Sequence, residues 1–100
     1  MAEPGYRLTP AAEGDLERIW LYSAGKWSSD QADKYLDALV ETFEALARFP
    51  GLARERIEFV PPVRIHPAGA HLVIYVARGG GVTVLRVLHG RQDILAALDG

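Results

Sequence analysis

Gly79, Gly80 and Gly81 stand consecutively between two apolar runs, residues 71–77 (HLVIYVA) and 82–88 (VTVLRVL), and no other feature leaves the chain so little choice of fold. Aliphatic and β-branched residues dominate both runs, as pleated, half-buried strands require. A turn tight enough to join them needs left-handed backbone, which glycine takes without steric cost. The two runs therefore read as an antiparallel hairpin. A two-residue loop at either position within the three glycines puts Leu72, Ile74 and Val76 on one face with Leu85 and Val87, and that face is expected to pack on helices. The opposite face holds His71, Val73, Tyr75, Val82, Val84, Arg86 and Leu88. It is too apolar to stay wet, since monomers seldom expose contiguous apolar patches beyond about 300 to 600 Å². Something is expected to cover it. A three-residue loop would instead seat Arg86 beside Ile74 among aliphatics, a poor place for a guanidinium.

The first half of the chain supplies the helices. Residues 6–9 (YRLT) alternate like a short strand and end in Thr9-Pro10, an N-cap followed by proline at the first helical position. Leu16, Ile19, Trp20, Ser23 and Ala24 share one face at helical spacing, with Glu13, Asp15, Glu17 and Arg18 read as turned outward. Gly25 is the expected stop. In "KWSSDQ", Ser28 and Gln31 form a capping box and Asp30 favours the positive end of a second helix. Ala32, Tyr35, Leu36, Leu39, Val40, Phe43, Leu46 and Ala47 then make an apolar stripe that "RFPG" ends. Two helices joined by a few residues form an antiparallel hairpin. Residues 51–62 read as an irregular loop closed by Pro61-Pro62, Val63 to His66 as a further strand, and "PAGA" as a turn. The expected class is α+β: an N-terminal strand, an antiparallel helical hairpin packed on an antiparallel β-sheet, and a short C-terminal helix.

Composition narrows the function. With 100 residues, 49% hydrophobic and 24% charged, the chain suits one domain, residues 1–100, with a small core. A net charge of -2 gives no bulk attraction to nucleic acid. The charge is unevenly spread, however: residues 1–50 carry 9 acids and 5 bases, residues 51–100 carry 4 and 6. Nine of the eleven bases are arginine, the planar fork suited to carboxylates and phosphates. The absence of cysteine excludes thiol chemistry, disulfides and a cysteine zinc site. No acidic pair has a metal-ligand context, and Glu13, Asp15, Glu17, Asp30, Asp33 and Asp37 read as a solvated helical face. The glycine triplet is followed by a strand, not a helix, so it is a turn rather than a phosphate loop. "MAEPGYRLTP" has no basic region leading into an apolar run, and no stretch approaches transmembrane length, so a soluble cytoplasmic protein without membrane contact is expected.

Near the C-terminus, "VLRVLHGRQDI" places His89, Arg91 and Asp93 around Gly90 at the end of a strand. The order of strand, helix pair, "HLVIYV", glycine turn and "RVLHGRQD" resembles the ParE-type toxins of bacterial type II toxin-antitoxin modules, within the RelE/ParE superfamily. The resemblance covers residues 6–98. The segment 86–93 matches the family's C-terminal signature, R-V-L-H-G-R/A-R-D, with Gln92 the departure. It implies a RelE/ParE-like fold, no cofactor, and a ParD-like ribbon-helix-helix antitoxin in a heterotetrameric or larger complex. In that complex the antitoxin wraps the toxin and alone contacts operator DNA. It also implies DNA gyrase as the target of the free toxin and a role in plasmid stabilisation.

The superfamily's other branch, the RelE-like ribosome-dependent mRNA endonucleases, is the alternative. Aligned through "AGAHLVIYV" and the glycine of "LHG", Pro62, His71, Gln92 and Leu98 stand where that branch's prototype has lysine, arginine, arginine and tyrosine; Arg64 and Arg91 are kept. Transesterification needs a base, an acid and cations at the phosphate. His71, His89 and Arg91 can substitute only if the fold makes them converge, so the enzyme question stays open and a binding toxin is the preferred reading. A homodimeric interaction module using the apolar sheet face on itself is the third.

Two sets of site residues follow. Arg64, Val73, Tyr75, Val82, Val84, Arg86 and Leu88 are the expected antitoxin surface, with an antitoxin carboxylate meeting Arg86, because a buried guanidinium needs such a partner. His71, His89 and Arg91 are the expected target contacts. Structural roles stand beside these: His89 as a tether of the turn, Gly90 as a positive-φ position, Arg91 and Asp93 as a pair or as caps of the last helix, Trp20 and Trp27 as packing residues.

Overall fold

The computed structural model describes residues 5–99. The helical punctuation acts where local chemistry places it. Thr9 Oγ1 accepts the Ala12 N–H at 3.0 Å, and α1 runs Pro10–Lys26, one residue past Gly25, before Trp27 closes it by donating to the Ser23 carbonyl. Ser28 Oγ accepts the Gln31 N–H at 3.1 Å and opens α2, Ser29–Arg48. The two helices pack together, with Trp20 Nε1 donating to Asp33 Oδ1 at 2.8 Å. After a 3-10 turn at Pro50–Leu52, the strands follow: β2 Glu55–Arg56, β3 Val63–Ala68, β4 His71–Arg78 and β5 Gly81–His89. A short α3, Ile94–Asp99, follows them. Together with β1, Tyr6–Leu8, they form one sheet of order β1-β5-β4-β3-β2. It is antiparallel from β2 to β5, and β1 lies parallel to β5, Tyr6 opposite Val82 and Leu8 opposite Val84.

The glycine hairpin closes on two residues. Arg78 pairs with Gly81, and Gly79 and Gly80 have φ of 55° and 82°, the doubly left-handed turn whose twist suits a hairpin. Pairing runs regularly to Tyr75 opposite Val84 and then slips by one, so that Ile74 faces Arg86 and Val73 faces Val87. Leu85 is the extra residue of a β-bulge, which re-aims every side chain beyond it. The arginine thus reaches its place opposite Ile74 through a bulge, with the two-residue loop intact.

This bulge, and a choice between two apolar faces, corrects the expected docking surface. The face laid on the helices is Val73, Tyr75, Val82, Val84 and Val87, packed with Ala12, Ile19, Leu39, Phe43 and Leu46. It is the chain's own core and is covered by its own helices. Leu88 has crossed to the other face, where it packs with Phe59, Val63 and Ile74, flanked by Ile94, Ala97 and Leu98. Val73, Tyr75, Val82, Val84 and Leu88 are all buried, so none offers a surface to a partner. Burying side chains of this kind contributes about 1.5 to 3 kcal/mol each.

Candidate functional site

β1 stops at Leu8, and the Thr9 backbone and two side chains carry on the edge of β5 beyond it. The Thr9 N–H donates to the Val84 carbonyl at 3.1 Å, Thr9 Oγ1 donates to the Leu85 carbonyl at 2.7 Å, and Asp15 Oδ2 accepts the Val87 N–H at 2.9 Å. Arg86 donates Nε to Asp15 Oδ2 at 2.7 Å and Nη2 to Oδ1 at 2.8 Å, while its Nη1 reaches the Ala97 carbonyl at 3.2 Å. Arg18 Nη2 adds a further bond to Asp15 Oδ1 at 2.8 Å. Burial by itself would raise the Asp15 carboxyl, but the bonds from Arg86, the Val87 amide and Arg18 outweigh it and hold the group below its ordinary range.

Two expectations are corrected here. Asp15 is no solvated acid but is 4% exposed, and the carboxylate that Arg86 needs comes from the same chain. The spacing contained the signal: Asp15 falls in line with Ala12, Ile19 and Ser23, the residues α1 buries.

Next to this pair, α1 and the His71–His89 end of the sheet enclose a groove of about 580 Å³. His71 and His89 are cross-strand partners, their rings edge to face with centroids 5.6 Å apart. The Tyr35 hydroxyl lies 2.6 Å from His71 Nδ1 and accepts the Ala70 N–H at 3.0 Å. That close approach depends on Gly69, at φ +59°, where a Cβ would lie 2.7 Å from the Tyr35 oxygen. Burial, reinforced by the charge of His89 and partly offset by Asp15, lowers the His71 imidazole below its usual value. On the outer wall stand Tyr22 and Trp27, with Lys26 Nζ 5.6 Å and 5.7 Å from their ring centroids.

Of the expected target residues, His71 and His89 meet in the groove, and Arg91 sits in the exposed turn beyond it. The turn is tied by its own atoms: His89 Nδ1 accepts the Arg91 N–H at 3.2 Å, Gln92 Oε1 accepts the His89 N–H at 2.8 Å, and the Gln92 N–H reaches the His89 carbonyl at 2.9 Å. Gly90 does not have the positive φ expected of it; Gly69, Gly79 and Gly80 do. Its N–H donates to the Ala70 carbonyl at 3.1 Å, which joins the turn to the β3–β4 loop. Asp93 caps α3, with Oδ1 accepting the Ala96 N–H at 3.3 Å.

Arg64 is a fastener rather than part of this site. Its Nη1 donates to the Ala53 carbonyl at 2.6 Å, and Tyr75, opposite it on β4, donates to the Pro50 carbonyl at 2.7 Å. Tyr75 and His71 are four residues apart on β4, about 13 Å at the rise of a strand. Arg18, Tyr22, Lys26 and Tyr35 also line the groove, although nothing in their spacing along the chain marks them as site residues. Among the described residues no group of three or more histidines and acids is placed to hold a metal ion, and no helix is long and apolar enough to cross a membrane.

Comparison with known proteins gives a consistent result. The family model for the ParE toxin of the type II toxin-antitoxin system parDE matches residues 6–94. Toxin ParE1 of Mycobacterium tuberculosis is 39% identical over 90 residues, covering 89% of this chain and 92% of that protein. Toxin ParE1 of Caulobacter vibrioides is 36% identical over 93 residues, covering 93% and 96%. A solved chain from the chromosomal ParDE toxin-antitoxin system of P. aeruginosa superposes with a TM-score of 0.72 over 84% of this chain and 92% of that one; at 21% identity it speaks for the fold alone.

Proposed function

Because the chain belongs to the ParE toxin family of type II toxin-antitoxin systems, we propose that it is the toxic half of such a module, active in the cytoplasm and neutralised by a ParD-like ribbon-helix-helix antitoxin. Free of that partner, it acts by binding DNA gyrase and blocking replication. Contact with operator DNA belongs to the antitoxin. The Arg64 bond to the Ala53 carbonyl is the observation that favours a binding toxin over an mRNA endonuclease. One of the two basic positions shared with the endonuclease branch is thereby engaged in holding a loop, well away from His89 and Arg91, and cations that do not converge cannot stabilise a pentavalent phosphate. Target contact is assigned to the groove rim and the His89–Arg91 turn.

The test is induction of the toxin without antitoxin, together with a gyrase supercoiling assay on the purified protein. Filamentous cells, DNA-damage signalling and inhibited supercoiling are expected while bulk translation continues. Rapid loss of translation with mRNA cut on ribosomes would overturn the proposal in favour of the endonuclease.

A further inference from the structure

We propose that the groove between α1 and the His71–His89 end of the sheet binds a nucleotide, its phosphate held by groove side chains and its base against Trp27 and Tyr22. The inference is independent of whether gyrase is the target.

The first support is the polarity of the lining. Asp15 is the one acid there, and both its oxygens are engaged, Oδ1 by Arg18 and Arg86, Oδ2 by Arg86 and the Val87 amide. His89 Nδ1 accepts the Arg91 N–H, so a neutral His89 ring carries its proton on Nε2. Tyr35 receives the Ala70 N–H and has its own proton free to give. His71 Nδ1 at 2.6 Å is a far better acceptor for it than the Ala68 carbonyl at 3.4 Å, which places the His71 proton on Nε2 as well. Gln92 has given its oxygen to the His89 amide and keeps its NH₂. Arg18 and Lys26 can only donate, and Lys26, which gives one N–H to the Tyr22 hydroxyl at 3.2 Å, keeps two more. Apart from hydroxyls, which serve either way, the uncommitted polar atoms of these side chains are all donors, and the ligand they suit is an anion.

The second support is direction. Arg18 and Lys26 come from α1, His71 from the start of β4, His89 and Gln92 from the end of β5 and its turn. Donors spread over three elements suit a tetrahedral phosphate, whereas a planar carboxylate takes paired donors in its own plane. The third is the outer wall. Tyr22 and Trp27 are 64% and 62% exposed beside a lysine, and aromatic faces next to a cation are what a nucleobase stacks on. A volume of about 580 Å³ accommodates a mononucleotide.

Calorimetric titration of the full chain, with adenosine monophosphate, adenosine and inorganic phosphate as separate probes, tests the proposal. Adenosine monophosphate should bind saturably and adenosine roughly ten-fold or more weaker. K26Q and H89A should each weaken adenosine monophosphate several-fold, while R78Q, at the other end of the sheet, leaves it unchanged. Thermal melts of H89A check its fold, and K26Q, on an exposed helix end, keeps the test decisive if H89A is damaged. A 5′-phosphorylated oligonucleotide binding tighter than the monophosphate identifies a strand end as the source; equal binding identifies a free nucleotide. No saturable binding of adenosine monophosphate into the millimolar range, or binding indifferent to both K26Q and H89A, overturns the proposal. So does an acetylated glutamyl dipeptide that binds as tightly as the monophosphate, which would reassign the groove to an acidic peptide.

Discussion

Asp15 and Arg86 lie 71 residues apart in sequence and are joined by two parallel hydrogen bonds, at 2.7 and 2.8 Å. Through them α1 is fastened to β5, and through the Ala97 carbonyl to α3. Asp15→Ala should destabilise the protein by about 3 to 5 kcal/mol, because it strands a half-buried guanidinium. Asp15→Asn should cost less. Urea unfolding followed by circular dichroism measures both, and a loss near zero would show that the pair is idle.

Acid should weaken the fold in two windows. His71 is lowered in the folded state by burial and by His89, so the unfolded chain takes up that proton first. Stability should fall as pH drops below about 6.5, the ordinary histidine value, toward the folded one. Asp15 is also held below its ordinary value; its contribution is complete above about 3.9 and lost as pH falls through the folded pKa. Urea midpoints across pH should lose the upper step in His71→Gln and much of the lower one in Asp15→Asn.

Gly69→Ala and Gly79→Ala both place a Cβ at positive φ, but only Gly69 has a neighbour in the way. Gly79→Ala should cost about 1 to 2 kcal/mol from backbone strain. Gly69→Ala should cost more and also separate Tyr35 from His71, visible as a shift of the His71 ring resonances by NMR. Equal losses, with those resonances unmoved, would disprove a tight Tyr35 contact.

His89→Ala and Arg91→Ala separate target binding from turn structure. Both side chains are exposed, so each change should move stability by about 0.5 kcal/mol or less. Inhibition of gyrase by the purified variants should nevertheless weaken. Undiminished inhibition in both would leave the turn with a structural role alone.

The helix starts were legible because a cap is a local device: Thr9-Pro10 and Ser28 with Gln31 lie within a turn of the atoms they satisfy. The glycine turn was legible for the same reason. The choice of sheet face was not, because Val73, Tyr75 and Val84 on one side and Ile74, Val76 and Leu85 on the other are equally apolar. The bulge at Leu85 also leaves no mark in a run of alternating aliphatics. Asp15, on a helix otherwise studded with outward acids, acquires meaning only when Arg86 arrives from the far end of the chain. The groove shared that obscurity. Tyr35 read as one more member of an apolar stripe, and its hydroxyl finds His71 only once α2 lies over the β3–β4 turn.

The parallel pairing of β1 with β5 sets an order of events during synthesis. β1 leaves the ribosome before the other described strands, and β5, its neighbour in the sheet, leaves after them. The apolar stripes of α1 and α2 likewise wait for β4 and β5 to pack on. Contacts this distant in sequence form late, after the long loop between them has closed. Arg18 and Lys26 therefore have no opposite wall until His89 and Gln92 have been made, and a nascent chain presents no partial version of the groove.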